Sequence, residues 1–185
     1  ETAIVPPPTN AILFVGSSSF NYWKDIINYF PGYPIINRGF GGSTLLDVQY
    51  YIKETILKYR PKKIFIYCGE NDLASNDTLS PITVTTRFKA LYFTIRNALG
   101  KNVEVNFVSI KPSVARWNME ARMVETNRLI ELFLKHQKNT HFIDVHHAML
   151  DEQGQVYKHI FIQDNLHMNP KGYAIWQQII APYLK

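Results

Sequence analysis

Short runs of consecutive apolar residues alternate along this chain with longer stretches whose apolar positions recur every three or four residues. The runs at residues 11–15 (AILFV), 33–37 (YPIIN), 63–68 (KIFIYC), 103–110 (VEVNFVSI) and 141–145 (HFIDV) have the length and content of buried strands. Between them the spacing turns helical. A helix is predicted over residues 21–30. Leu45, Val48, Ile52 and Ile56 follow the i, i+3, i+7, i+11 rule of one apolar face. Residues 80–100 open with Ser80 as a cap and Pro81 in the first turn, and they stop at Gly100. Their buried face is Phe88, Leu91, Ile95 and Leu99. Asn118 stands where it caps a helix running to about His136. Asn169 and Pro170 start the last helix, with Tyr173, Trp176, Ile180 and Tyr183 on one side.

Strand followed by helix, five times over, implies a parallel sheet covered on both faces. The expected fold is α/β: a three-layer α/β/α sandwich, flavodoxin-like, around a five-stranded parallel sheet. No linker, repeat or low-complexity insert interrupts residues 11–185, which read as a single domain. Residues 1–10 contain VPPPTN and read as a stiff, extended lead-in. The start at Glu1 leaves room for a trimmed export signal, and with that lead-in it points towards a periplasmic or secreted protein, with the cytoplasm left open.

In an open parallel sheet, ligands bind outside the carboxyl ends of the strands. The segments that follow the five strands are GSSSF, RGFGGST, GENDLAS, KPSVARW and, past a loop, DNLHMNP. All five are expected at one edge. They bring a serine, glycine turns, an asparagine and an Asp-x-x-His pair. That inventory suits acyl transfer. A serine hydroxyl is a weak nucleophile until a base takes its proton, and the base works best when a carboxylate holds it. The oxyanion that follows needs donors, which backbone N–H groups at glycine turns and an asparagine amide supply.

Composition removes other classes. No stretch is apolar for the ~18–20 residues that a membrane helix requires, so stable membrane insertion is not expected. The net charge of +5 is mild and the basic residues are interleaved with acidic ones, so no nucleic-acid partner is expected. The one cysteine, Cys68, lies in a strand and reads as a small buried hydrophobe. His141, His146 and His147 lack the paired carboxylates of a metal framework, so no metal is expected.

The motifs, in order, resemble those of the SGNH or GDSL hydrolases, over residues 12–176. Gly16-Ser17-Ser18 matches the first block, although Ser17 stands where the family usually has Asp. GGST, with Gly42, matches the second. Gly69-Glu70-Asn71-Asp72 matches the third, and Asp164-Asn165-Leu166-His167 the last. The small single-domain branch near lysophospholipase L1 and the platelet-activating-factor acetylhydrolases is the most similar. The resemblance implies a lipase-like serine esterase acting through an acyl-enzyme, with a catalytic triad, an oxyanion hole and no cofactor. Ser18 is then the nucleophile, His167 the base and Asp164 its acid, with Asp144 ranked behind it. Gly42 and Asn71 are the oxyanion donors beside the Ser18 N–H. The substrate is a small ester: short-chain acyl, acetylated sugar or lysophospholipid.

Bland roles compete at each position. Ser17 and Ser19 read as helix-start chemistry, Gly42 as a turn glycine and Asn71 as a turn residue. Arg116 and Trp117 are placed to contact substrate, and Trp117 equally to pack over the helix that follows. Asp72 and Glu70 read as solvated or loop-bracing. Two other functions remain open. GSSS and GFGGST suit a phosphate- or flavin-binding flavodoxin-like protein, but the glycines match neither a Walker pattern nor G-x-G-x-x-G. A non-catalytic carbohydrate-binding member is the other. The sequence does not set the oligomeric state.

Overall fold

The structure is a computed structural model that describes Pro8 and residues 10–185. The lead-in expected at residues 1–10 therefore lies largely outside the described residues. Five parallel strands, β1 (Ile12–Gly16), β2 (Ile35–Gly39), β3 (Lys63–Tyr67), β4 (Glu104–Val108) and β5 (Thr140–Ile143), form one sheet. Their order is β2-β1-β3-β4-β5, the flavodoxin-like order expected. Each strand lies within a few residues of its predicted run. In β1 and β3 every residue is buried, and a strand covered on both faces has no polar face to interrupt its apolar run.

The alternation of side chains divides the core in two. Leu13, Val15, Ile64, Ile66, Val105 and Phe107 face one layer, whereas Ile12, Phe14, Phe65 and Tyr67 face the other. On the second face the Phe14 and Phe65 rings stack at 4.7 Å with planes 7° apart. Each large side chain buried this way contributes roughly 1.5–3 kcal/mol.

The second layer begins with α1 (Ser18–Asn21) and α2 (Ile26–Tyr29), not with one helix over residues 21–30. Phe20, Trp23 and Ile26, all buried, are spaced by three. The backbone follows that spacing: Trp23 N–H donates to Phe20 C=O and Ile26 N–H to Trp23 C=O, both i to i−3. A period of three suits tight turns better than the 3.6 of an α-helix.

On the first face lie α3 (Leu45–Tyr50) and α4 (Ile52–Thr55), one predicted helix interrupted at Tyr51. The Tyr51 ring sits edge-on to Phe40 at 6.0 Å. Leu45, Val48, Ile52 and Ile56 all stay buried. Next come α5 (Glu70–Ser75) and α6 (Pro81–Leu99). In α6 the Ser80 hydroxyl accepts from Thr83 N–H, Pro81 fills the first turn, and Gly100 at φ +83° ends it.

Helix α7 (Glu120–Leu134) starts later than the Asn118 cap predicts. Residues Trp117–Met119 form a 3-10 turn, and no side chain caps the helix. Arg116 is tied to Glu70 and Asn71, and Met119 N–H closes back on Arg116 C=O at 2.9 Å. The anchored chain therefore enters α7 through a tight turn. The last helix, α8 (Pro170–Ile180), is capped by Asn169, whose side chain accepts from Lys171 and Gly172 N–H. Pro182 has no N–H to continue it, so Tyr183 falls in the 3-10 turn Ala181–Leu184. No described helix is long and apolar enough to cross a membrane.

Candidate active site

Strand β1 ends where only glycine fits. Gly16 has φ +136°, and a Cβ there would lie 1.9 Å from the Tyr67 carbonyl oxygen. This close approach lets Ser17 N–H donate to that same oxygen at 2.9 Å, which turns the chain sharply into α1. Ser18 is the first residue of α1 and partly exposed. Its N–H belongs to the first turn and has no acceptor within the helix. With one turn only, α1 adds little dipole. The positive potential at Ser18 comes from the free N–H groups themselves. Ser17 and Ser19 are buried. Neither acts as the side-chain cap expected of it: Ser17 makes no cap bond, and the Ser19 hydroxyl lies against the Tyr67 phenol.

The loop after β2 is held from both ends. Asn37 Nδ2 donates to the Phe20 and Trp23 carbonyls, while its Oδ1 accepts from Gly39 N–H. At the far end Thr44 and Asp47 form a capping box on α3. Gly42 lies between, with φ +73° and no atom within 4 Å of an added Cβ. Its backbone is thus turned by conformation, not by crowding.

After β3 the GEND segment is a brace as well as a candidate site. Asp72 is wholly buried, where its carboxylate accepts from Leu45 N–H at 2.8 Å and pairs with Arg87 at 2.8 Å. Glu70 is buried too, and accepts from the Tyr67 hydroxyl at 2.5 Å and from Arg116 at 3.0 Å, with Lys111 Nζ at 3.4 Å. Burial pushes the Glu70 carboxyl up, but Lys111 and Arg116 outweigh that and hold it below its ordinary value. Of the two readings from the sequence, solvated or bracing, the structure selects bracing. Asn71 Nδ2 donates to the Ser43 carbonyl at 3.1 Å, and its Oδ1 accepts from Arg116 at 3.1 Å. Cys68 is buried, and burial pushes its thiol well above the ordinary value.

Asp164 and His167 are in direct contact at this edge. Asp164 Oδ2 lies 2.5 Å from His167 Nδ1, while Oδ1 accepts from Leu166 and His167 N–H, each at 2.9 Å. Slight burial raises the Asp164 carboxyl, but the His167 ring and the two backbone donors bring it down to about 2. Asp164 is therefore ionised at neutral pH, and in a neutral His167 ring the contact places the proton on Nδ1 and leaves Nε2 as acceptor. The His167 ring packs on Tyr22 at 4.4 Å between centroids. Tyr22 N–H in turn donates to Ser18 C=O at 2.7 Å. The structure so ties the dyad to the turn that carries Ser18. The Ser18 hydroxyl itself has no hydrogen-bond partner among the described residues.

Asp144, ranked second as the acid, pairs with His147 instead, 2.5 Å from its Nδ1. Buried His146 has its Nε2 2.7 Å from a Glu120 carboxylate oxygen. Among the described residues no three His, Cys, Asp or Glu side chains come together as a metal site requires. Trp117 is half-buried against the second core layer. Sequence reasoning passed over Tyr22, Tyr67 and Lys111. Tyr22 had a signal, standing four residues beyond Ser18. Lys111 had none, because a lysine after a strand ordinarily faces water.

A family model described as the GDSL-like Lipase/Acylhydrolase family matches residues 14–175. Among curated proteins, the N-acylneuraminate cytidylyltransferase of Escherichia coli O18:K1:H7 is 27% identical over 177 residues. The match takes in 94% of this chain, which spans 40% of that protein's length. Among solved structures, a GDSL-like lipase from Bacteroides thetaiotaomicron superposes with a TM-score of 0.81 at 19% identity, covering 98% of this chain and 92% of that one. A catalytic mutant of an acetylxylan esterase from Geobacillus stearothermophilus gives 0.77 at 15% identity, covering 95% and 94%. At these identities the likeness of the structures is one of fold.

Proposed function

The chain belongs to the GDSL-like lipase/acylhydrolase family, and from that premise we propose that it is a serine ester hydrolase, which residues carry the reaction and which ester it takes. The observation that carries the assignment is the Asp164–His167 pair, 2.5 Å apart and packed on Tyr22, whose N–H is bonded to Ser18 C=O. Ser18 Oγ attacks the ester carbonyl while His167 Nε2 takes the hydroxyl proton. Asp164 holds Nδ1–H and offsets the imidazolium charge that forms. The carbonyl oxygen becomes an oxyanion, received by Ser18 N–H, Gly42 N–H and one Nδ2–H of Asn71. Collapse breaks the bond to the alcohol oxygen, and His167 returns its proton to that oxygen. The acyl group remains on Ser18 until a water, deprotonated by the same ring, releases it as the carboxylic acid. The scheme needs neither metal nor organic cofactor.

The ester in this reading is a short acyl group, acetyl first, on a sugar. His167 gives its proton to the leaving alcohol, so whatever lies beside that ring faces the alcohol half. Tyr22 lies there with 53% of its surface exposed, an aromatic face suited to a sugar ring. Trp117, on the loop after β4, is assigned to the same side. The names of the relatives agree: one acts on an N-acylneuraminate, and one is an acetylxylan esterase. Residues 11–185 act as one domain here. The test is an ester panel with Ser18→Ala as the blank: O-acetylated N-acylneuraminate, acetylated xylo-oligosaccharide, lysophosphatidylcholine and p-nitrophenyl acetate. Turnover led by the sugar acetates is expected. Turnover led by the lysophospholipid overturns the substrate class, and an unchanged rate in Ser18→Ala overturns the nucleophile.

A further inference from the structure

An oxyanion donor works only if its N–H is already aimed when charge develops, and an asparagine amide has no intrinsic reason to point one way. Asn71 is fixed by two contacts that cannot be exchanged. A guanidinium only donates, so the amide atom 3.1 Å from Arg116 must be Oδ1. A carbonyl only accepts, so the atom 3.1 Å from the Ser43 oxygen must be Nδ2. A flipped amide would set donor against donor and acceptor against acceptor. One Nδ2–H is thereby engaged and the second left free for a ligand.

Arg116 is itself held in place. The nitrogen that donates to Asn71, its Nη1, also donates to Glu70 at 3.0 Å. Glu70 is locked from behind by the Tyr67 hydroxyl at 2.5 Å and by the buried Lys111 amine at 3.4 Å. The neighbouring residue, Ala115, donates its N–H to the Asn165 carbonyl at 3.0 Å, inside the Asp164–His167 turn. The loop after β4 thus touches the Asp164–His167 turn with Ala115 and the Asn71 side with Arg116.

We propose that Arg116 is a positioning residue for this esterase: it orients the Asn71 amide towards the oxyanion, and Glu70 holds Arg116 to that task. The proposal rests on the role given to Asn71 above. It separates Arg116 from a substrate contact, which would act on binding. The test is a double-mutant cycle, Arg116→Ala, Asn71→Ala and both together, with kcat and KM measured on one acetyl ester. Arg116→Met, which keeps most of the stem's bulk, stands in if the alanine variant does not fold, and thermal unfolding is followed for each. Arg116→Ala is expected to lower kcat about 10- to 100-fold with KM within about two-fold. In the Asn71→Ala background it is expected to cost nothing further. A raised KM at unchanged kcat overturns the proposal, as do losses that multiply in the double variant. If Asn71→Ala alone keeps full kcat, the oxyanion role of Asn71 fails and this proposal with it. Multiplying losses beside an impaired Asn71→Ala overturn only the role of Arg116.

Discussion

Asp164→Asn is a sharp test because the chain carries a geometric twin of the same pair. In Asp164–His167 and in Asp144–His147 one carboxylate oxygen lies 2.5 Å from the imidazole Nδ1. In both the other oxygen accepts the histidine's own N–H, at 2.9 Å and 3.2 Å. Only the first pair packs on Tyr22, beside Ser18. An amide at position 164 keeps Oδ1 for the two backbone donors and turns its NH2 towards Nδ1. A donor there drives the ring proton to Nε2, the atom that accepts the Ser18 proton in the proposed mechanism. The expected loss is about 10⁴-fold in kcat, or about 5.4 kcal/mol at 1.36 kcal/mol per decade. Folding loses far less. The drop of the Asp164 carboxyl from 3.8 to about 2 corresponds to about 2.4 kcal/mol. Its side chain is 41% exposed, and solvent screening reduces this to about 1 kcal/mol. Saturating p-nitrophenyl acetate gives kcat, and urea unfolding gives stability on the same samples. Asp144→Asn should leave kcat within about two-fold. The reasoning is refuted if the twin variant loses as much activity, or if Asp164→Asn keeps kcat within about ten-fold of the parent.

Three other outcomes follow from the same geometry. Gly16→Ala should yield no stably folded protein, since its Cβ meets the Tyr67 carbonyl oxygen at 1.9 Å, whereas Gly42→Ala, with open space but φ +73°, should cost about 1–2 kcal/mol; urea midpoints and soluble yield compare them. The Asp164 carboxyl is depressed in the folded state, so its stabilisation is complete above about pH 4 and is lost as pH falls towards about 2. Urea midpoints between pH 2 and pH 5 should therefore fall less steeply in Asp164→Asn than in the parent. Tyr22→Ala should lower kcat/KM for sugar acetates more than for p-nitrophenyl acetate, and an equal loss on both would remove Tyr22 from the alcohol side.

The fold was legible wherever the deciding physics is local. Consecutive apolar residues marked the strands, because β1 and β3 are buried on both faces. Ser80, Pro81 and Gly100 marked α6, because a cap, a first-turn proline and a left-handed stop act within one turn. Residues 21–30 failed because Phe20, Trp23 and Ile26 bury at a spacing of three, which an eye set for helices accepts as i, i+3. Asn118 failed for a different reason. Its propensity to cap is real, but Arg116 two residues earlier is fastened to Glu70 and Asn71, 46 and 45 residues away in the chain.

The candidate site divides along the same line. Ser18, Gly42, Asn71, Asp164 and His167 stand out as candidates in the sequence because each lies in a motif directly beyond its own strand or loop. The bonds between motifs were not. Glu70, Asp72 and Lys111 are residue types that almost always face water, yet all three are buried here. That burial is tolerable only because each charge is met: Glu70 by Lys111 and Arg116, Asp72 by Arg87 and the Leu45 N–H. Stripping one partner from such a group typically costs about 3–5 kcal/mol, so these contacts set how the loops sit against one another. The Glu70 and Leu45 contacts join segments 27 to 46 residues apart in the chain, and Asp72–Arg87 joins α5 to the next helix, 15 residues on. The candidate reacting groups can be read one motif at a time, whereas what positions them is a property of pairs that only the folded sheet edge brings together.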